Sequence, residues 1–256
     1  MLQPHSFLWH YLWLAPHVLQ LVLVILLWRR GLHRLFPVFF AYLIFEAIEE
    51  FTLYGMDLHP SVSGEAWWSA FCVGLVIEGA LKLGVIGELF FHLLSSRAAL
   101  AKVGSRLISG AGAFLMLLAV LAAAYVPTDH PKYIWTYRSY LFLQSFYMIE
   151  GGLILFLFLF AAHFKLSWNH RAFGIALGLG VLTCEHLGAW ALTASGTLAD
   201  KPYLLDFPNM ATYHLCVLIW CYYLLVPQKS AETCPVSLPE NNLAIWNREL
   251  ERLLQK

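Results

Sequence analysis

Seven stretches of this chain, at about residues 9–28, 35–54, 67–94, 107–126, 137–162, 172–194 and 209–226, are long and apolar enough to cross a bilayer. A spanning helix needs roughly 20 mostly apolar residues, and these seven leave only short loops and a C-terminal tail. The composition agrees. Of 256 residues, 60% are hydrophobic and 12% charged, against about 25% charged in a soluble domain. The sequence predicts an all-α polytopic membrane bundle of seven transmembrane helices, spanning residues 1–226, followed by a tail at 227–256.

Lys and Arg set the expected orientation, because cytoplasmic loops retain positive charge. Twelve of the sixteen fall on one side: Arg29, Arg30 and Arg34 after the first stretch, Arg97, Lys102 and Arg106 after the third, Lys165 and Arg171 after the fifth, and four in the tail. The expected topology therefore has the N-terminus outside and the C-terminus cytoplasmic. Trp9, Trp13, Trp67, Trp68, Trp135 and Trp190 near the outer ends, with Trp28 and Trp168 near the inner ends, read as an interfacial aromatic belt. No Lys or Arg precedes Arg29, so the first stretch lacks the positive n-region of a cleavable signal peptide and is expected to stay as a helix.

The formal net charge is zero, and the absence of a large basic patch argues against nucleic-acid binding. Cys72, Cys184, Cys216 and Cys221 lie in the apolar stretches and Cys234 in the tail, which leaves none to staple the outer loops. In the tail, residues 240–255 place Leu243, Trp246, Leu250, Leu253 and Leu254 along one helical face. That pattern suits an amphipathic helix on the inner membrane surface, or one docked on a cytoplasmic partner or a membrane complex.

Against this apolar background the ionisable residues stand out. Glu46, Glu49 and Glu50 lie on the second stretch, Glu78 and Lys82 on the third, Glu150 on the fifth and Glu185 on the sixth. Each charged side chain near the bilayer centre costs about 2.5–3.5 kcal/mol on insertion scales. Glu78 and Glu150 sit in near-copies of one phrase, Ile77-Glu78-Gly79 and Ile149-Glu150-Gly151. At about 1.5 Å per residue, Glu46, Glu78, Glu150 and Glu185 all fall in the middle third of their helices.

Helical spacing groups them further, since residues three and four apart share a face. Tyr42, Glu46, Glu49 and Glu50 form a stripe, Glu78 and Lys82 an i,i+4 pair, and Glu88 and His92 another pair nearer the cytoplasm. Glu78–Lys82 also suits a self-neutralising pair with no further role. The five remaining carboxylates exceed what one lysine can offset. Left bare and ionised they would cost roughly 12–17 kcal/mol, so they require protonation, a solvated cavity, a bound cation, or hydrogen bonds from Tyr42, Tyr147 or Tyr213. Each option implies a polar pocket in the outer half of the bundle.

Carboxylates and histidines on facing helices can build a metal centre, and His186 and His214 are the imidazoles nearest in depth to Glu185. Adjacent helical residues point about 100° apart, so Glu185 and His186 do not readily share one ion. The metal content is left open, and neither haem nor retinal is expected. His17 and His214 are isolated histidines in apolar helices, and the seventh stretch has no Schiff-base lysine. Hydrolytic motifs and phosphate-cradling loops are also missing from the sequence, which leans away from an enzyme.

Two phrases on the cytoplasmic side, Gly31-Leu32-His33-Arg34-Leu35-Phe36-Pro37-Val38-Phe39-Phe40 and Leu166-Ser167-Trp168-Asn169-His170-Arg171 followed by Phe173-Gly174-Ile175-Ala176-Leu177-Gly178, resemble a group of uncharacterised bacterial seven-helix membrane proteins. The resemblance implies seven spans across most of the chain and carries no activity with it. The expectation from the residues is an acidic interior that binds a proton, a cation or a basic small ligand in a sensor- or receptor-like role. Glu78, Glu150 and Glu185 would be the midplane ligands, Glu46 and Glu49 the path toward the outer surface with Glu50 in the same acidic set, and Lys82 would be the counter-charge. Proton- or cation-coupled transport and a structural role in a membrane complex are the alternatives.

Overall fold

The computed structural model describes residues 5–94, 110–115, 117–121, 134–163, 168–194 and 202–226. The expected tail helix at 240–255 lies outside them. Among the described residues the structure is all-helical: α1 Phe7–Arg29, α2 Pro37–Leu58, α3 Gly64–Leu93, α4 Gly110–Leu121, α5 Ile134–His163, α6 His170–Ala194 and α7 Asp206–Leu225. Four of them, α1, α3, α5 and α6, carry stretches long and apolar enough to cross a membrane, and the chain is a membrane protein on that ground. The helix α2 has a spanning length too, but Glu46, Glu49 and Glu50 within five residues break its apolar run.

Local sequence sets the helix ends. Ser6 and Ser63 accept hydrogen bonds from the backbone N–H groups of Trp9 and Ala66, capping α1 and α3. The first helix ends at Gly31, whose φ of 69° places it in the left-handed region that a side chain disfavours. A short turn over Leu32–Arg34 then leads to Pro37 at the start of α2, a position where a missing N–H costs nothing.

Side-chain contacts fix the helix directions. Trp13 meets Glu50 and Gln20 meets the Leu43 carbonyl, so α1 and α2 are antiparallel. Gly74 faces Glu49 while Glu88 reaches Val38, which makes α2 and α3 antiparallel as well. Lys82 with Glu150 and Phe90 with Phe160 run α3 parallel to α5. Gly178 with Trp220 sets α6 against α7, and α7 returns beside α1 in parallel through Tyr213 and Gln20.

The tightest seam lies between α6 and α7. Gly174 and Gly178 leave the hollows that Tyr223 and Trp220 fill, so that a Cβ at either glycine would collide with the ring opposite. The glycine stripe thus admits aromatic side chains of α7. Gly188, further along the same helix, faces open space.

Depth separates two kinds of interior. At one end Leu23, Leu43, Ile86, Leu89, Leu157, Leu179 and Trp220 form a dry core, each at most 1% exposed. At the other, Gln20, Glu46, Lys82 and Glu150 are buried together with polar partners. Several of the expected belt tryptophans face inward: Trp9 is 6% exposed, the Trp13 indole N–H donates to Glu50, and that of Trp67 donates to the Leu53 carbonyl. Trp28, at 62%, does face outward.

Candidate functional site

The repeated phrases place Glu78 and Glu150 on two parallel helices, and both face one lysine. Lys82 Nζ lies 2.7 Å from Glu78 Oε1, one helical turn earlier, and 3.7 Å from Glu150 Oε2 across the α3–α5 seam. The ammonium is also 5.9 Å and 5.8 Å from the ring centroids of Phe146 and Tyr147, within cation–π range. Lys82 and Glu150 are 1% and 0% exposed. Charges so deep are retained only as partners, because removing one strands the other at a cost of about 3–5 kcal/mol.

A second cluster adjoins the first. One carboxylate oxygen from each of Glu46, Glu49 and Glu78 lies within 4.8 Å of the other two. Glu46 and Glu49 reach it from consecutive turns of α2 and Glu78 from α3. Glu49 fits because residue 74 is glycine, and its carboxylate occupies the space that a side chain at 74 would take. Glu46 Oε2, Tyr42 Oη and both Glu150 oxygens are buried without a hydrogen-bond partner among the described residues. An unsatisfied buried polar group costs about 1–3 kcal/mol, so this cluster holds a concentration of unmet demand for donors or positive charge. All four atoms belong to residues in electrostatic reach of Glu78.

The other expected ligands go elsewhere. Glu50 turns to the opposite flank of α2, where its Oε2 accepts a 2.7 Å hydrogen bond from Trp13 and lies 3.9 Å from His17 Nε2. Tyr213 donates to Gln20 Oε1 at 2.6 Å instead of to a carboxylate, and Gln20 Nε2 donates to the Leu43 carbonyl. His17 Nδ1 lies 3.3 Å from the same Gln20 oxygen and so carries the donated proton. Among the described residues Glu185 has only His186 within ion-pair distance, at 3.6 Å, and His186 Nδ1 already donates to the Leu182 carbonyl. The His186 ring packs 4.2 Å from that of Tyr147, which puts it behind the lysine cage. His214 packs toward Tyr11, with its Nδ1 buried and unpartnered among the described residues.

Carboxylates of the second, third and fifth helices therefore converge, while that of the sixth stays apart. The residues that spacing did not single out as site members are Trp13, His17 and Gln20, which line one face of α1 toward Glu50 and Tyr213. Their i, i+4, i+7 spacing was the available signal.

Glu88 and His92, spaced as a pair, do not bond to each other. The Glu88 carboxylate accepts the backbone N–H groups of Val38 and Phe39 at 3.1 and 3.0 Å, capping α2 from another helix. His92 Nε2 lies 2.8 Å from the Leu35 carbonyl just before it. Both side chains secure the α1–α2 connection at the apolar end. No known protein family, curated protein or solved structure matches this chain.

Proposed function

We propose that the protein is a seven-span receptor or sensor of the bacterial cytoplasmic membrane, N-terminus outside, whose acidic pocket binds a proton, a cation or a basic small ligand. The observation that carries this reading is the meeting of Glu46, Glu49 and Glu78 at one point, beside a lysine already engaged by Glu78 and Glu150. Bringing like charges together in a buried site is costly unless something positive joins them.

The distribution of polarity favours a receptor over a carrier. A carrier exposes its site alternately to both sides, yet below Lys82 and Glu150 the interior is the closed aliphatic and aromatic core around Ile86, Leu89, Leu157 and Trp220. Spans at α2 and α7 are supported by their lengths, 22 and 20 residues, which correspond to about 33 and 30 Å of helix, and the seventh, over α4, by the apolar run at 107–126 and the resemblance noted above. The positive residues after the first, third and fifth helices support the orientation.

Thermal unfolding of the purified protein across about pH 5–8, with and without added cations, tests the pocket. Glu78→Gln and Glu150→Gln should remove the pH- or ligand-dependent shift of the parent, while Glu185→Gln keeps it. Equal stabilisation by all three substitutions, with no dependent shift in the parent, would sink the proposal. Reporter fusions at the C-terminus, active only on one side of the membrane, test the orientation.

A further inference from the structure

We propose that Glu46, Glu49 and Glu78 together hold a single divalent cation of the hard, calcium-like class. This inference rests on the pocket reading above and names its ligand. The donor set is oxygen only, with no thiolate or imidazole in the triad, and such a set suits hard cations. The spacing is compatible: three oxygens within 4.8 Å of one another lie no more than about 2.8 Å from a common point, close to the Ca–O range of roughly 2.3–2.6 Å.

Two further observations point to an occupant. Glu46 is only 8% exposed, and its Oε2 has no partner among the described residues. Tyr42, one turn earlier on α2 and 0% exposed, has an equally unpartnered hydroxyl oxygen. An ion in the triad would place positive charge on the Glu46 carboxylate, and the Tyr42 oxygen stands one helical turn away in electrostatic reach of Glu46 and Glu78.

Gly74 is part of the same construction, since the Glu49 carboxylate rests where any larger residue at 74 would stand. Charge favours a divalent ion. With every group ionised, Glu46, Glu49, Glu78 and Glu150 face Lys82 as the one cation near them among the described residues, and a divalent ion offsets more of that excess than a monovalent one. An organic amine is less suited, because the ammonium place between Glu78, Glu150, Phe146 and Tyr147 is filled by Lys82 itself.

The test uses full-length protein in detergent, stripped with EDTA, then titrated with CaCl2, MgCl2 or MnCl2 against KCl of matched ionic strength. Thermal unfolding is one readout, and Tb3+ luminescence sensitised by nearby aromatic rings is the other. The expected result is a saturable Ca2+-dependent rise in Tm, on the order of 5 °C at about a hundredfold excess over Kd, together with Tb3+ emission that Ca2+ displaces. Glu46→Gln should abolish both. Gly74→Ala should do the same without changing any charge, by displacing Glu49, and Glu49→Gln replaces it if that variant does not fold. Glu185→Gln should retain both.

A cation response unchanged in Glu46→Gln and Gly74→Ala overturns the inference. So does a parent that ignores every divalent ion yet keeps a pH-dependent shift that Glu46→Gln removes, an outcome that leaves the broader pocket reading standing. A parent insensitive to both ions and pH overturns the two together.

Discussion

Lys82 is the residue whose loss the structure prices most clearly. In Lys82→Met the apolar stem is kept, while Glu78 loses a partner at 2.7 Å and Glu150 its only ion-pair partner within 4 Å among the described residues. Stranding a buried charge in this way costs about 3–5 kcal/mol. For a chain of this size each kcal/mol moves Tm by roughly 2–4 °C, so the expected fall is on the order of 10 °C. Glu150, 0% exposed, bears most of it, since the Glu78 side chain is 15% exposed.

The double variant Lys82→Met/Glu150→Gln should therefore recover much of the loss, and Lys82→Met/Glu78→Gln less. The coupling energy between Lys82 and Glu150 from such a cycle should reach about 1–3 kcal/mol. Thermal unfolding followed by intrinsic fluorescence, on protein purified in one detergent, measures all four species. A Lys82→Met variant within about 1 kcal/mol of the parent, or a double variant no better than the single one, would refute the claim that this lysine neutralises a buried pair.

Gly178→Ala should destabilise by about 1–3 kcal/mol through overpacking against Trp220. Gly188→Ala, which meets nothing within 4 Å, should be neutral or stabilising by up to about 1 kcal/mol from helix propensity, and parallel thermal shifts compare the two. Glu88→Ala should cost about 1–2 kcal/mol as a lost cap and speed hydrogen exchange at the amides of Val38 and Phe39, with Glu88→Gln in between. Gln20→Leu should cost about 1–3 kcal/mol by stranding the Tyr213 hydroxyl. Adding Tyr213→Phe should then cost less than it does in the parent, as a double-variant cycle would record.

The helices were legible because apolar run length is a strong signal, and observed ends such as Gly64–Leu93 lie within a few residues of the expected ones. The Glu78–Lys82 pair and the common reach of Glu78 and Glu150 were legible too, since equal depth on parallel helices needs only counting. The fate of Glu50 was not. Glu49 and Glu50 are about 100° apart on α2, and that angle separates the flank facing α3 from the one facing α1. A single helix does not disclose which neighbour stands on which side. Glu88 and His92 show the same limit: i,i+4 spacing permits a pair, but unpaired backbone groups of a neighbouring helix start and connection made better partners.

The Glu88 cap has a consequence for how the chain is assembled. The first turn of α2 has N–H groups whose acceptor lies about fifty residues further along, so an inserted α1–α2 hairpin is chemically unfinished until α3 arrives beside it. That same helix brings the Glu78–Lys82 pair, its own charge neutraliser. The smallest unit in which the first turn of α2 is capped is then three helices, and a chain truncated before Glu88 would leave the Val38 and Phe39 N–H groups without that acceptor.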